Sequence, residues 1–487
     1  MKTRLLTGFL ISFLFSLSLS GQSHSDSKPI RDFQMSIIPF IGTDGSESLH
    51  YSYNTSINLF AGITGGVEKF EAGGFLNINI GHVNGLQLAG FGNIVTGNIN
   101  GFQGAGFLNL GSADYTGLRG AGFVNANAGA FFGAQGSGFV NIIGGNGRGF
   151  SGTGFVNITG GNYEGFAGAG FANVSGGHFH GFAGSGFANV SGGYFQGFAG
   201  SGFANVSGGD FQGFAGSGFA NVSGGHFRGI AGTGFANLSG GGKSGVFGAG
   251  FANISGGNLS GLQGAGFGNL ARGDVSGAQL SGFINVSQNL QGLQASGFLN
   301  MAQEVNGLQI GFINLADTIS SGMPIGFLSI VRNGGLRQFE AAVSDVAHLS
   351  ASFRIGVRQF YNIFSFNLRP FVQEHFSAFG YGFGTNIDLS PQVTMQPEFH
   401  STQLHDFWTW DKSKLDVLNE FRLNISLRTD GKAELFAGIV FYNQVYADNL
   451  ERPRDIAPGR IFHEGRWDDN HIRWWLGARG GFRINIR

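Results

Sequence analysis

Residues 186–201 read Gly186-Phe187-Ala188-Asn189-Val190-Ser191-Gly192-Gly193-Tyr194-Phe195-Gln196-Gly197-Phe198-Ala199-Gly200-Ser201. Near copies of this unit fill the middle of the chain. The pair Gly192 and Gly193 predicts a turn, because glycine adopts positive φ without steric cost. The segments on either side are short and rich in aromatic and β-branched residues, as strands prefer. Each unit is therefore expected to contain two short strands.

The repeat has a constant period. The tetrad Gly-Phe-x-Asn recurs every sixteen residues from Phe75 to Phe283, and the interval shortens towards Phe327. A β-solenoid explains this, because coils stacked about 4.8 Å apart place like residues in columns. The alternative is a membrane meander with one spanning strand per half-unit, but a spanning strand needs about 9 to 11 residues. We expect a phenylalanine stack, an asparagine ladder and a column of small side chains. The small column is Ala169, Ser185, Ser201, Ser217 and Thr233.

The apolar pattern inside one unit leaves a question open. Phe187, Ala188 and Val190 are all apolar, as are Phe195 and Phe198, so a strand with one wet face is not obvious. Either protein or lipid covers both faces, or a glycine such as Gly197 kinks the strand.

The composition excludes several classes of protein. The 487 residues include 90 glycines and 53 phenylalanines but 8 prolines, which excludes collagen. Hydrophobic residues make up 42% of the chain, too many for a disordered protein. The net charge of -1 gives no electrostatic basis for binding nucleic acid. The chain has no cysteine, so disulfides and thiolate sites are excluded.

The N-terminus has the pattern of a secretory signal. Lys2 and Arg4 precede an apolar run from residue 5 to residue 19, and small residues stand at 18 and 20. A membrane anchor helix would need about 20 apolar residues. We interpret residues 1–20 as a cleaved signal peptide.

Both flanks of the repeat array, 67–333, show period-two alternation. In the segments 31–66 and 334–487, apolar residues alternate with polar ones, and arginine recurs on the polar side. About eight antiparallel strands are expected after residue 334, including candidates near 335–343, 360–370, 378–389, 391–403 and 432–446, with a turn at 429–432. Tryptophans mark strand ends: Trp408, Trp410, Trp467 and Trp474. The pattern resembles an outer-membrane β-barrel with a polar interior; the alternative is a soluble β-sandwich.

Two segments near the end of the array carry a family resemblance. Residues 307–314, Gly-Leu-Gln-Ile-Gly-Phe-Ile-Asn, and residues 261–269, Gly-Leu-Gln-Gly-Ala-Gly-Phe-Gly-Asn, resemble the Gly-Leu-Gln-x-Gly-Phe-x-Asn units of surface repeat proteins from spirochaetes and Bacteroidota. The likeness covers roughly residues 31–370, although most units have Gly-Phe-Ala/Gln-Gly where that family has Gly-Leu-Gln. It implies a location at the cell surface rather than an activity.

Polar positions that vary between units are the candidate interaction residues. They form two columns: His178, Tyr194, Asp210 and His226 in the first, and His180, Gln196, Gln212 and Arg228 in the second. These columns are either a surface for a glycan or protein ligand or a solvated edge under weak constraint. We expect no metal site and no cofactor, since no carboxylate repeats beside the histidines.

No catalytic motif is present. The acid and histidine groupings are Glu398, His400, His405, Asp406, His463 and Glu464, and no nucleophile elbow or phosphate loop accompanies them. The sequence predicts an all-β, non-enzymatic protein of the outer membrane or cell surface of a Gram-negative bacterium, in contact with membrane lipid, with a structural, adhesive or display role. The alternatives are a transport pore in which all segments form one barrel, and a soluble ice- or glycan-binding solenoid.

Overall fold

The computed structural model describes residues 28–370, 372, 375–405, 415–429, 433–447, 456–468 and 470–486. Several predictions lie outside the described residues: the signal peptide 1–20, Asp406, Trp408, Trp410 and most of the turn 429–432. The chain divides into two compact units, Met1–Gly257 and Asn258–Arg487. Both are built almost entirely of β-strands, which confirms the predicted fold class.

In its described part, from residue 28 onward, the first unit contains one short 3-10 helix, Gly45–His50, and 28 strands. Strands β1 to β28 are, in order, Ile30–Ile38, Ile41–Gly42, Ser52–Asn58, Ala61–Thr64, Gly66–Gly73, Leu76–Asn79, Val83–Ala89, Gly92–Val95, Ile99–Ala105, Leu108–Gly111, Tyr115–Ala121, Val124–Asn127, Phe131–Ser137, Val140–Ile143, Gly147–Thr153, Val156–Thr159, Tyr163–Ala169, Ala172–Ser175, Phe179–Ser185, Ala188–Ser191, Phe195–Ser201, Ala204–Ser207, Phe211–Ser217, Ala220–Ser223, Phe227–Thr233, Ala236–Ser239, Lys243–Ala249 and Ala252–Ser255.

The second unit contains strands β29 to β46. They are, in order, Leu259–Ala265, Gly268–Ala271, Val275–Ser281, Ile284–Val286, Asn289–Ser296, Leu299–Ile310, Ile313–Ile325, Leu328–Asn333, Leu336–Ser344, Leu349–Val357, Phe360–Arg369, Phe376–Gly384, Ile387–Asp388, Val393–His405, Asp416–Arg428, Ala433–Ala447, Ile461–Trp467 and Asn470–Asn485.

Each coil of the first unit consists of one long and one short strand. Long strands pair in parallel with the long strands of neighbouring coils, as β19 does with β21, and short strands pair in parallel with short ones, as β18 does with β20. The register is one repeat, so Ser185 lies opposite Ser201 and Ala183 opposite Ala199. The solenoid interpretation is confirmed, and the coils are not strands of a meander.

The predicted columns are present in the coils. Asn189 donates from Nδ2 to Asn205 Oδ1 at 2.9 Å, and Asn205 donates in turn to Asn221 at the same distance. The rings of Phe187 and Phe203 are parallel, with centroids 4.8 Å apart. The asparagine ladder lies inside the coil, where its amides also bond backbone carbonyls, whereas the phenylalanine stack lies outside.

The glycines work differently from the expectation. Gly192 and Gly193 do form the turn, but neither has a positive φ; that conformation occurs at Gly197, within the long strand, with φ 129°. At Gly192 the requirement is space, because a Cβ there would lie under 3.0 Å from the carbonyl oxygen of Gly176 in the preceding coil. Close stacking of coils therefore explains the turn glycines, and the unusual backbone explains Gly197.

The N-terminal segment 31–66 differs from the expected flanking strands. Ile30–Ile38 pairs in parallel with Ser52–Asn58, which pairs in parallel with Gly66–Gly73. Ser36 Oγ donates to Asn58 Oδ1 at 2.7 Å inside the coil. The segment forms the first coils, because alternation along a strand is the same whether its partner runs parallel or antiparallel.

The second unit continues from parallel coils into an antiparallel sheet. Strands β29 to β36 form coils like those of the first unit, with an asparagine ladder through Asn285, Asn300 and Asn314. After Asn333 the strands pair with antiparallel neighbours in the order β37, β38, β39, β40, β42, β43, β44 and β46. Pairing of β46 with β37 closes this ring into an eight-stranded barrel. The antiparallel C-terminal strands are thus confirmed.

Two features of the barrel depart from the expected strand list. The strand expected over 378–389 ends at Gly384, and a separate short strand, Ile387–Asp388, pairs with β42. Ile461–Trp467 is an additional strand, and it pairs with the first part of β46 on the side where β37 pairs with the rest.

Candidate functional site

The first column of candidate residues holds the coils together. His178 Nδ1 accepts a hydrogen bond from the backbone N–H of Tyr194 at 3.0 Å, and the two rings stack with centroids 3.8 Å apart. Asp210 Oδ1 accepts from the N–H of His226 at 2.7 Å, and His226 accepts from the N–H of Gly242. The side chains of His178, Asp210 and His226 therefore each satisfy a backbone donor of the next coil, one repeat away.

The second column stands beside the first on the same side of the coils. His180, Gln196, Gln212 and Arg228 are paired in register along neighbouring long strands, and all but the half-buried Gln196 are exposed. We call the two columns, with the residues at the same repeat positions of other coils, such as Ser276, the polar surface. Their role towards a ligand stays a prediction.

The acid and histidine groupings that the structure describes lie apart from one another. Glu398 and His400 lie inside the barrel, where Arg422 and Ser365 contact the His400 ring. Glu464 lies on the exposed β45 and pairs with Arg473. Within the described ranges, no group of three histidine or acidic side chains is arranged to hold a metal ion.

Buried charges inside the coils escaped the sequence analysis. The Arg119 guanidinium donates to Gln135 and Asn127, and burial lowers its pKa to about 9. Lys243 takes the place of a buried phenylalanine, and burial lowers its pKa to about 7. The sequence does contain a signal for these two buried charges. Each stands at a repeat position that other coils fill with glutamine, alanine or phenylalanine.

The barrel interior is charged. Glu340 accepts hydrogen bonds from Arg479 Nη2 and Arg483 Nε, both at 2.6 Å, and Glu398 pairs with Arg354. These five side chains are all buried. Arginines on the polar side of the alternation thus point into the ring, as the barrel interpretation required, and each of these three contacts a buried carboxylate.

The barrel exterior is apolar. Large aliphatic and aromatic side chains face outward on neighbouring strands, including Leu423 at 40% exposure and Ile439, its partner across the ladder, at 60%. Other members of this exterior are Phe339, Val343, Phe353, Phe379, Phe383, Phe421, Ile425, Leu427, Leu435, Leu476, Phe482 and Ile484. Polarity is therefore inverted relative to a water-soluble β-sandwich, which buries its apolar faces.

The coils also expose apolar columns, opposite in character to the polar surface. In the first unit, one column contains the stacked rings from Phe75 to Phe251, and a second contains Phe182, Phe198 and Phe214. In the second unit the first column runs from Phe267 to Phe327, and the second begins at Leu262. We call these columns, with the exposed residues that lie between them such as Leu280 and Ile310, the aromatic surface.

The barrel exterior and the aromatic surface both expose large apolar side chains. No helix within the described residues is long and apolar enough to cross a membrane. Comparisons of the chain with protein-family models, with curated proteins and with solved structures find no match.

Proposed function

We propose that this chain is an outer-membrane protein of a Gram-negative bacterium, in which the eight-stranded barrel spans the membrane and the coils serve a structural, adhesive or display role. The observation that carries the proposal is the inverted barrel. Arg354 and Arg483 are completely buried, whereas Ile439 and Leu435 are more than half exposed. Water would favour the opposite arrangement, because burying one such aliphatic side chain stabilises a fold by about 1.5–3 kcal/mol.

Strand length agrees with this role. The barrel strands range from 9 residues in β37 to 16 residues in β46, and a tilted spanning strand needs about 9 to 11. The resemblance of residues 307–314 to bacterial surface repeat proteins supports the same location. Ion pairs such as Arg483–Glu340 and a buried apolar cluster that includes Leu418 and Trp475 occupy the interior, so we expect an anchor rather than an open channel.

The proposal is tested by adding one arginine to the exterior. The full chain and its Ile439→Arg variant are folded in detergent and reconstituted with phosphatidylcholine vesicles, and the protease-resistant fraction that floats with the vesicles is measured. Arginine at the bilayer midplane costs about 2–4 kcal/mol, so insertion of the variant should fall at least tenfold. Ser390→Arg adds the same charge at an exposed bend and serves as the matched control.

The opposite results would refute the membrane role. In a water-soluble barrel, position 439 would be an ordinary exposed site, and an arginine there would change neither folding nor partitioning. Wild-type protein that stays folded and soluble after the detergent is removed would refute the proposal equally. Single-channel conductance in a planar bilayer would support the transport pore instead.

A further inference from the structure

The aromatic surface of the second unit runs directly into the barrel exterior. Phe312 and Phe327 stack with centroids 4.8 Å apart, and Phe327 then stacks on Tyr381 at 4.9 Å. Phe327 also meets Phe364 edge-on at 5.4 Å. Tyr381 and Phe364 belong to the outer wall of the barrel, because the neighbouring Ser365 points inward to His400. Coil and barrel thus share one uninterrupted apolar surface.

The last coil is fixed to that wall by hydrogen bonds. Asn362 Nδ2 donates to the carbonyl oxygen of Gly326 at 2.7 Å and to the hydroxyl of Tyr381 at 2.7 Å. Ile355 and Val357 on the same part of the wall are buried. The last coil therefore packs firmly against the barrel wall, and the two apolar surfaces are continuous.

Charge is segregated to the other side of the coils. Between residues 258 and 333 the charged residues are Arg272, Asp274, Glu304, Asp317 and Arg332. Asp274 and Glu304 are in register through Asn289 in the column that Tyr194 occupies in the first unit. Arg272 and Asp274 lie in the turn between β30 and β31, whereas the other three lie within β34, β35 and β36. None of the five occupies a column of the aromatic surface in these coils.

An open apolar groove follows the aromatic surface of the second unit. Its volume is about 470 Å³, and it is lined by Leu280, Ala295, Ile310 and the small residues beside them. Leu280 is 46% exposed and Ile310 is 41% exposed. Exposed apolar patches on soluble monomers are usually a few hundred Å² in area and isolated, whereas this one extends coil after coil.

We propose that lipid acyl chains cover the aromatic surface of these coils, so that the coils lie against the membrane with their polar surface in water. This inference rests on the proposed membrane role of the barrel. A bilayer that surrounds the barrel exterior at Tyr381 also meets Phe327, because the two rings are in contact. Aromatic side chains with charged residues opposite are the pattern of interfacial membrane binding. The first unit carries the same charge-free columns.

The chain has no cysteine, which permits single labels at defined positions. Leu280→Cys places a fluorophore on the aromatic surface, and Ser276→Cys places it on the polar surface of the same strand. Ile439→Cys marks the barrel exterior as a reference. The full-length protein is reconstituted in phosphatidylcholine vesicles, and quenching by a nitroxide-labelled lipid and by aqueous iodide is measured. Leu262→Cys gives a second aromatic-surface position if label at 280 disturbs folding.

We expect lipid quenching at positions 280 and 439 to exceed that at position 276 at least twofold, with iodide quenching in the reverse order. Lipid quenching at 439 but not at 280 or 262 would overturn this inference and leave the barrel proposal intact. If aqueous iodide also does not quench the labels at positions 280 and 262, a second copy or another protein covers the surface instead of lipid. Absence of lipid quenching at 439 would overturn both proposals.

Discussion

Lys243 offers a stability test that can be worked out from the structure. It occupies the column of the buried Phe227, while Phe247 fills the position that is Ala231 one coil earlier. Its Nζ donates to the carbonyl oxygen of Asn237 at 2.8 Å and lies 5.2 Å from the centre of the Phe247 ring. No carboxylate is among these contacts, so burial disfavours the charged form and lowers the lysine pKa from 10.5 to about 7.

The lowered pKa sets both the sign and the pH window of the effect. Above pH 10.5 the lysine is neutral in both the folded and the unfolded chain, so its ionisation does not change the free energy of unfolding. As the pH falls from 10.5 to about 7, the unfolded chain binds a proton that the folded chain does not, so the free energy of unfolding decreases. At about 1.4 kcal/mol per pH unit, the loss reaches about 5 kcal/mol at most. Below about pH 7 both states are protonated and the loss stays constant.

Lys243→Met should therefore stabilise the protein at neutral pH. Methionine is unbranched and fits the lysine's space, and the lost hydrogen bond to Asn237 costs about 1 kcal/mol. We expect a net gain of about 2–4 kcal/mol near pH 7 and none above pH 10.5. The measurement is urea unfolding of the full chain in detergent, followed by far-UV circular dichroism between pH 6 and 11. Lys69→Met removes an exposed charge and is the control. Parallel pH profiles for wild type and Lys243→Met would refute the reasoning.

Two further substitutions test the coil geometry by the same unfolding measurement. Gly213→Ala should lower the free energy of unfolding by more than about 3 kcal/mol, because φ is 132° and the new Cβ would lie under 3.0 Å from the Gly197 carbonyl oxygen. Gly216→Ala in the same strand is the control, since its Cβ meets nothing closer than 3.8 Å. Equal effects of the two substitutions would contradict the stacking geometry. Asn205→Ala should lower the free energy of unfolding by about 3 kcal/mol, because it removes hydrogen bonds to Asn189, Asn221 and the carbonyl oxygen of Gly216. Gln212→Ala, at an exposed position, is the control and should change it by less than about 0.5 kcal/mol. An Asn205→Ala variant as stable as the wild type would show that the ladder contributes nothing.

The candidate site shows where sequence reasoning stops. His178 and Asp210 vary between coils and look free for ligand, yet both accept a backbone hydrogen bond from the next coil. That contact joins residues sixteen positions apart and depends on the rotation of each coil. Histidine, asparagine and aspartate can each accept this hydrogen bond, so the residue type varies from coil to coil. That variation made the column look free of structural constraint.

Periodicity predicted the strand content and the repeated columns of this protein. A repeat near sixteen residues favours stacked coils, since like residues then form columns, and period-two alternation indicates strands with two unlike faces. The asparagine ladder and the Phe187 stack follow from these repeats directly.

Only the tertiary structure decided which faces are inside. Alternation in Phe421 to Arg428 is the same in a sandwich with an apolar core and in a barrel with an apolar exterior; the pairing of β37 with β46 closes the ring and places Arg422 within it. Likewise, the repeat pattern does not distinguish Phe195 from Phe198, but the side chain of Phe195 is buried and that of Phe198 is exposed. Inside and outside are set by how strands close around one another, a relation between residues far apart in the chain.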